Sequence, residues 1–181
     1  MKRAALAKVA TELQPLLGDD SIGLEARMST GDHQSLRLWL RLLSCSTDIE
    51  TEIRKRLRSQ FGMSLARFDY LAQLHRHPSG LKMNALSRFL MVTGGNVTGL
   101  TDELEKDGFV TREADPEDRR SWRVALTAKG RKAFEKIAST HEGWVVDLFG
   151  SLADVDKRQL HNLLGRLRVQ LSAQQAAAAN D

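Results

Sequence analysis

Residues 93–127 read Thr-Gly-Gly-Asn-Val-Thr-Gly-Leu-Thr-Asp-Glu-Leu-Glu-Lys-Asp-Gly-Phe-Val-Thr-Arg-Glu-Ala-Asp-Pro-Glu-Asp-Arg-Arg-Ser-Trp-Arg-Val-Ala-Leu-Thr. Thr93 is suited to cap a helix that runs to about Asp107, and Gly108 stands where a left-handed residue closes it. Phe109–Ala114 and Trp122–Leu126 read as strands, and Asp115–Ser121 between them is too polar to be anything but a turn. A helix that feeds a short basic hairpin is the layout of a winged helix-turn-helix, in which the helix enters one DNA groove and the hairpin tip reaches the next. The stretch therefore points to a DNA-binding regulator and away from an enzyme.

Periodicity extends this reading in both directions. Upstream, residues 33–60 form a long helical segment with Trp39, Leu42, Leu43, Ile49, Ile53 and Leu57 recurring every three or four residues. Arg54, Lys55, Arg56 and Arg58 crowd its C-terminal end, where positive charge suits the helix dipole, and Gly62 stops it. Ser64 caps a helix over about 65–76, and a short helix follows at 83–90 with Leu86, Phe89 and Leu90 inward. Downstream, Thr127 caps a helix over about 128–149 that carries Phe134, Ile137, Trp144, Val145 and Leu148. A last helix over about 154–171 carries Leu160, Leu163, Leu164, Leu167 and Leu171. Residues 173–181 are alanine-rich and lack an apolar face, so they read as a disordered tail.

The long helices pose a packing problem, because a winged-helix unit of about 65 residues hides only a few of their apolar positions. Two copies can bury those stripes against each other, which predicts a homodimer. The expected organisation is an N-terminal extension (1–31), a dimerisation helix (32–61), a winged helix-turn-helix (62–126), C-terminal dimerisation helices (127–172) and the tail (173–181). The extension offers a short helix at about Ala4–Leu17 and reads equally as a mobile arm or as one that packs on a partner. The predicted fold class is mainly α: six core helices and a two-stranded wing in an intertwined homodimer.

Composition sets outer limits. The chain has 181 residues, 41% hydrophobic and 28% charged, with a net charge of +4. The positive balance suits a polyanion without demonstrating one. A single cysteine, Cys45, excludes an internal disulfide and fits a reducing cytoplasm, the expected location being nucleoid-associated. No apolar run approaches the roughly 20 residues that span a membrane. His75 and His77 are two apart, which on a helix points their rings to different faces, so no metal site is expected; no cofactor or catalytic constellation stands out either.

The chemistry falls on two groups of residues. Thr93, Gly94, Gly95, Asn96, Thr98 and Gly99 open the recognition helix. Thr and Asn can bond base edges or phosphates, and glycines let the backbone approach DNA. Three glycines in seven residues cost up to about 1 kcal/mol each relative to alanine, so they need a reason. The alternative to DNA contact is that Gly94 and Gly95 fray in the first turn and Gly99 faces a neighbouring helix. At the hairpin tip, Arg119 and Arg120 can enter a minor groove, with Asp118 near enough to hold an arginine extended; a solvated charged hairpin is the plainer reading.

Residues 115–131, Asp-Pro-Glu-Asp-Arg-Arg-Ser-Trp-Arg-Val-Ala-Leu-Thr-Ala-Lys-Gly-Arg, resemble the wing signature of the MarR family of bacterial transcription regulators. Leu86 to Val110 resembles that family's helix-turn-helix, and the similarity covers roughly residues 35–170. Lys82 and Ala153 depart from it, since each stands where the family often caps a helix with Ser or Thr. The resemblance implies that Asp118 orients Arg120 at the wing tip and that the flanking helices form a dimer on double-stranded DNA. It further implies repression released by a small aromatic effector bound between dimer helices and DNA-binding lobe, a region that here includes Trp39, Leu43, Phe68 and His75. The segments 36–54 and 67–74 are similar to members that answer to aromatic acyl-CoA thioesters, whose phosphates need cations; Arg37, Arg41 and Arg67 are the candidates. Plain core packing and surface ion pairing are the bland alternatives. Three rival functions remain: redox sensing through Cys45, a small enzyme in the interhelical pocket, and a winged helix that docks protein.

Overall fold

The computed structural model describes residues 34–90, 93–115 and 122–178. Six helices lie among them: α1 (Gln34–Phe61), α2 (Leu65–Arg76), α3 (Met83–Leu90), α4 (Gly94–Lys106), α5 (Ala128–Leu148) and α6 (Asp154–Ala178). Three strands, β1 (Leu81–Lys82), β2 (Val110–Ala114) and β3 (Trp122–Leu126), form one antiparallel sheet in the order β1-β3-β2. The expected extension, including the helix at 4–17, lies outside the described residues.

Local chemistry explains most of these boundaries. The Ser64 hydroxyl accepts from the Arg67 amide at 3.3 Å and starts α2. Thr93, in extended conformation, accepts from the Asn96 amide and starts α4. Thr127 starts α5 by accepting from the Gly130 amide at 2.9 Å. These hydroxyls satisfy amides that the first turn of a helix leaves without partners. Gly108 has φ +73° and follows α4 in the left-handed conformation that its position demanded.

Two expectations are corrected. The sheet has three strands, not two: Leu81 and Lys82 pair with Val124 and Arg123 along the outer edge of β3. A two-residue strand is too short to show a period in the sequence. The last helix continues to Ala178, well past 171, so residues 173–178 are helical and not a disordered tail. Alanine is the best intrinsic helix former, and a run of it extends a helix that already exists without needing an apolar face.

The described chain divides into two compact units. One comprises residues 42–144, and the other the segments up to Arg41 and from Val145 onward. The first unit has a dense core: Leu57, Tyr70, Leu71, Leu74, Leu86, Val97, Thr101, Leu104 and Val124 are fully buried. It takes in more than residues 62–126, because Ile53 and Leu57 of α1 and Phe134, Ile137 and Trp144 of α5 are buried too. Around α5 the core is aromatic. Phe68 packs against Phe134 at 5.5 Å and His141 at 4.8 Å, His75 against Phe134 at 4.8 Å, and Trp144 against Phe61 at 6.0 Å. In the second unit none of the described large apolar side chains is buried; Trp39, Val155, Leu163, Leu167 and Leu171 are all exposed.

Among the described glycines, Gly130 has the least room for a side chain. A Cβ added there would lie 1.9 Å from the Phe109 carbonyl oxygen, which itself accepts from the Thr127 amide at 3.0 Å. The first turn of α5 thus rests directly on the entry to β2, and only a residue without a side chain fits. Gly130→Ala is expected to lower stability by about 1–3 kcal/mol through overpacking, read as a lower urea midpoint. His141 supplies a pH signature. Burial holds its imidazole below the ordinary value of 6.5, so the folded state disfavours the charged ring. The associated stability is complete above pH 6.5 and declines as pH falls below it, toward the depressed folded value. Thermal melts of His141→Phe are expected to show a shallower acid slope than those of the parent chain; identical slopes would refute this.

Candidate nucleic-acid interface

The α4 helix has one buried face and one open face. Val97, Thr101 and Leu104, at spacings of four and three, point into the core. The Tyr70 hydroxyl bonds Thr101 Oγ1 at 2.6 Å, and Thr101 in turn donates to the Val97 carbonyl at 2.7 Å. Burial pushes the Tyr70 phenol up to about 12, so it stays a neutral donor at every physiological pH. Thr93, Gly94, Gly95, Asn96, Thr98 and Gly99 are all exposed. A Cβ built at Gly94, Gly95 or Gly99 meets nothing within 4 Å. Gly99 therefore does not face a neighbouring helix, which corrects that alternative. The open face lies at the N-terminal, positive end of the helix, whose first turn contains no acidic residue.

The C-terminal half of α4 is acidic, and the structure covers part of that charge. Arg112 on β2 forms ion pairs with both Asp102 and Glu105, the latter at 2.6 Å, and these hydrogen bonds raise its pKa, Glu105 contributing most. Arg67 on α2 pairs with Asp107 at the helix end. Lys129 donates to the Asp107 carbonyl at 2.6 Å and lies 5.3 Å from the centre of the Phe109 ring. Cations thus gather where the helix dipole is negative, and the wing strand is fastened to the helix.

The base of the wing is held by a buried carboxylate. Asp115 is almost completely enclosed and sits between Lys82 Nζ at 3.3 Å and an Arg123 guanidinium nitrogen at 3.1 Å. Arg123 also donates to the Gly80 carbonyl at 3.1 Å. Removing one partner of such a buried group leaves an uncompensated charge, so the three residues act as a unit. Lys82, which departs from the family's usual capping residue, has its role here in the sheet. The wing-tip residues Asp118, Arg119 and Arg120 lie outside the described residues.

The candidate effector residues are only partly brought together. Phe68 and His75 share Phe134 as a neighbour, and His75 Nε2 lies 3.5 Å from Glu135. Leu43 is half-buried in the same compact unit. The Arg67 guanidinium is engaged by Asp107. Arg37, Trp39 and Arg41 belong to the other unit. Cys45 is exposed on α1, and Tyr70, the chain's one tyrosine, is committed to Thr101. Sequence reasoning missed Tyr70, Arg112 and Asp115. The only available signal was Asp115 at the start of the wing signature, and its burial depends on a partner 33 positions upstream.

Comparison with known proteins agrees with this arrangement. The family model described as MarR family matches residues 63–122. The transcriptional repressor YetL of Bacillus subtilis is 30% identical over 146 residues, covering 78% of this chain and 84% of YetL. The transcriptional activatory protein BadR of Rhodopseudomonas palustris is 33% identical over 104 residues, covering 56% of this chain. The chain spans 59% of BadR and 54% of a further relative, the regulator YkoM of Bacillus subtilis. A crystal structure of a MarR family transcriptional regulator from Silicibacter pomeroyi superposes with a TM-score of 0.67 at 31% identity, covering 80% of this chain and 99% of that one. The chain belongs to the MarR family of transcriptional regulators.

Proposed function

We propose that the chain is a ligand-responsive regulator that binds a partly palindromic operator as a homodimer. The observation that carries this reading is the N-terminal half of α4: six small or polar residues stand open at the positive end of a helix whose opposite face is locked into the core. Thr93, Asn96 and Thr98 reach base edges and phosphates in the major groove, while Gly94, Gly95 and Gly99 let the backbone come close. Arg119 and Arg120 enter the adjacent minor groove, Asp118 holding Arg120 extended. Two such readers engage successive major grooves about 10 base pairs apart. The exposed apolar side chains of α6 and of the start of α1 support burial against a second copy. Relatives named as an activator and as a repressor are both similar to this chain, and repression is the reading we favour.

Release follows from population shift. A small aromatic effector, in one version an aromatic acyl-CoA thioester, favours a spacing of recognition helices that does not fit DNA, and it acts only as far as it binds that geometry better. Phe68, His75 and Leu43 line its aromatic part, and Arg67 takes its phosphates. The buried Nε of Arg67 has no hydrogen-bond partner among the described residues, a shortfall that an anionic ligand would relieve.

Mobility-shift titrations are expected to show affinity falling with salt at a log–log slope of about −0.9 per phosphate neutralised. Arg120→Ala is expected to weaken binding while light scattering still shows a dimer; unchanged affinity would remove the wing assignment. Calorimetric titration with hydroxycinnamoyl-CoA is expected to release heat, and silence up to about 100 micromolar ligand, a floor of roughly −5 kcal/mol, would remove the thioester version.

A further inference from the structure

We infer that Trp122 is a DNA-backbone contact, packing its indole on the sugar-phosphate strand that crosses between the groove read by α4 and the groove entered by the wing tip. The inference rests on the DNA-binding reading above and assigns a residue which that reading does not use. The register of the hairpin decides where the side chain lies. Trp122 pairs with Ala114, and Val124 with Arg112. Directly opposed residues in an antiparallel ladder share a face, as do residues two apart along a strand. Val124 is fully buried, and Arg112 reaches Asp102 and Glu105 of α4. The face that carries all four residues is therefore the one turned toward α4, and Trp122 with Ala114 forms its outermost pair, next to the segment that joins the strands.

Trp122 is 50% exposed although it lies on the side of the sheet that faces the core. Its partner Ala114 is small and exposed, so no large side chain stands directly opposite the indole on the strand pair. On the α4 side, Asp102 and Glu105 are engaged by Arg112, which lowers the negative field that would repel a phosphate, while Glu113, paired in register with Arg123, lies on the opposite face of the hairpin. An indole suits the remaining gap. Its flat apolar face covers a deoxyribose, and its Nε1–H donates to a phosphate oxygen. Neither contact distinguishes bases, so the residue contributes affinity and register without specificity.

The test uses the full chain and duplexes that the wild-type protein selects from a random pool. Trp122→Ala is expected to weaken binding about tenfold, the scale of a lost aromatic anchor, and by the same factor on every selected sequence. Because the indole carries no charge, the salt slope should stay at the wild-type value, whereas loss of one phosphate-binding arginine lowers it by about 0.9. Trp122→Phe, which keeps the flat face and loses the donor, should recover most of the affinity. Wild-type affinity in Trp122→Ala overturns the inference. So does a loss accompanied by a reduced salt slope, because that pattern reports a wing whose arginines have also been displaced. A wild-type chain that selects no duplex takes down the functional reading as well, and is told apart from the other outcomes because no variant is needed to see it.

Discussion

Tyr70 and Thr101 share a buried hydrogen bond of 2.6 Å at the place where α4 presses on α2, and the orientation of the open face of α4 depends on it. A neutral hydrogen bond contributes only about 1 kcal/mol net, but leaving either hydroxyl buried without its partner costs about 1–3 kcal/mol. That asymmetry makes the bond a positional constraint. Rotation of α4 about its axis would break the pair and expose Val97 and Leu104, so the helix has one orientation in which every buried group is satisfied. In that orientation the glycines and the residues Asn96 and Thr98 face outward. Openness on one side of α4 is a consequence of closure on the other.

Charge placement follows the same division of labour. The N-terminal half of α4 keeps its dipole uncancelled, while acidic residues of the C-terminal half are taken up by Arg112 and Arg67. The wing repeats the pattern, with Asp115 buried between Lys82 and Arg123. In each place a carboxylate that would repel a phosphate is given a cation within the protein, and each pairing also joins two elements: β2 to α4, α2 to α4, β1 to β3. Electrostatics and mechanical bracing are one set of contacts. The unit from Val145 onward differs in kind. None of the large apolar side chains of its described helix is buried.

Much of this was legible in the residues. The caps Ser64, Thr93 and Thr127 and the terminator Gly108 are local signals, each read from a few neighbouring positions, and each corresponds to a hydrogen bond or a dihedral angle in the structure. The positions of the helices and of the two long strands follow from them. The glycine-rich opening of α4 was legible as unusual, but periodicity alone left Gly99 either open or packed. The end of α6 lies beyond the expected position because an alanine run without an apolar face needs only a preceding turn to propagate as helix.

The sequence by itself determined where the helices and the hairpin begin and end, because caps, turns and short periods act over distances of a few residues. Only the tertiary structure decided that Lys82 belongs to a sheet, that Asp115 is buried, that Arg112 neutralises α4 and that Trp122 shares a face with Arg112. Those facts join residues 7 to 44 positions apart, as in Arg112 with Glu105 and Arg123 with Ser79. No local pattern encodes such partnerships, since they come into being only when packing brings the elements together.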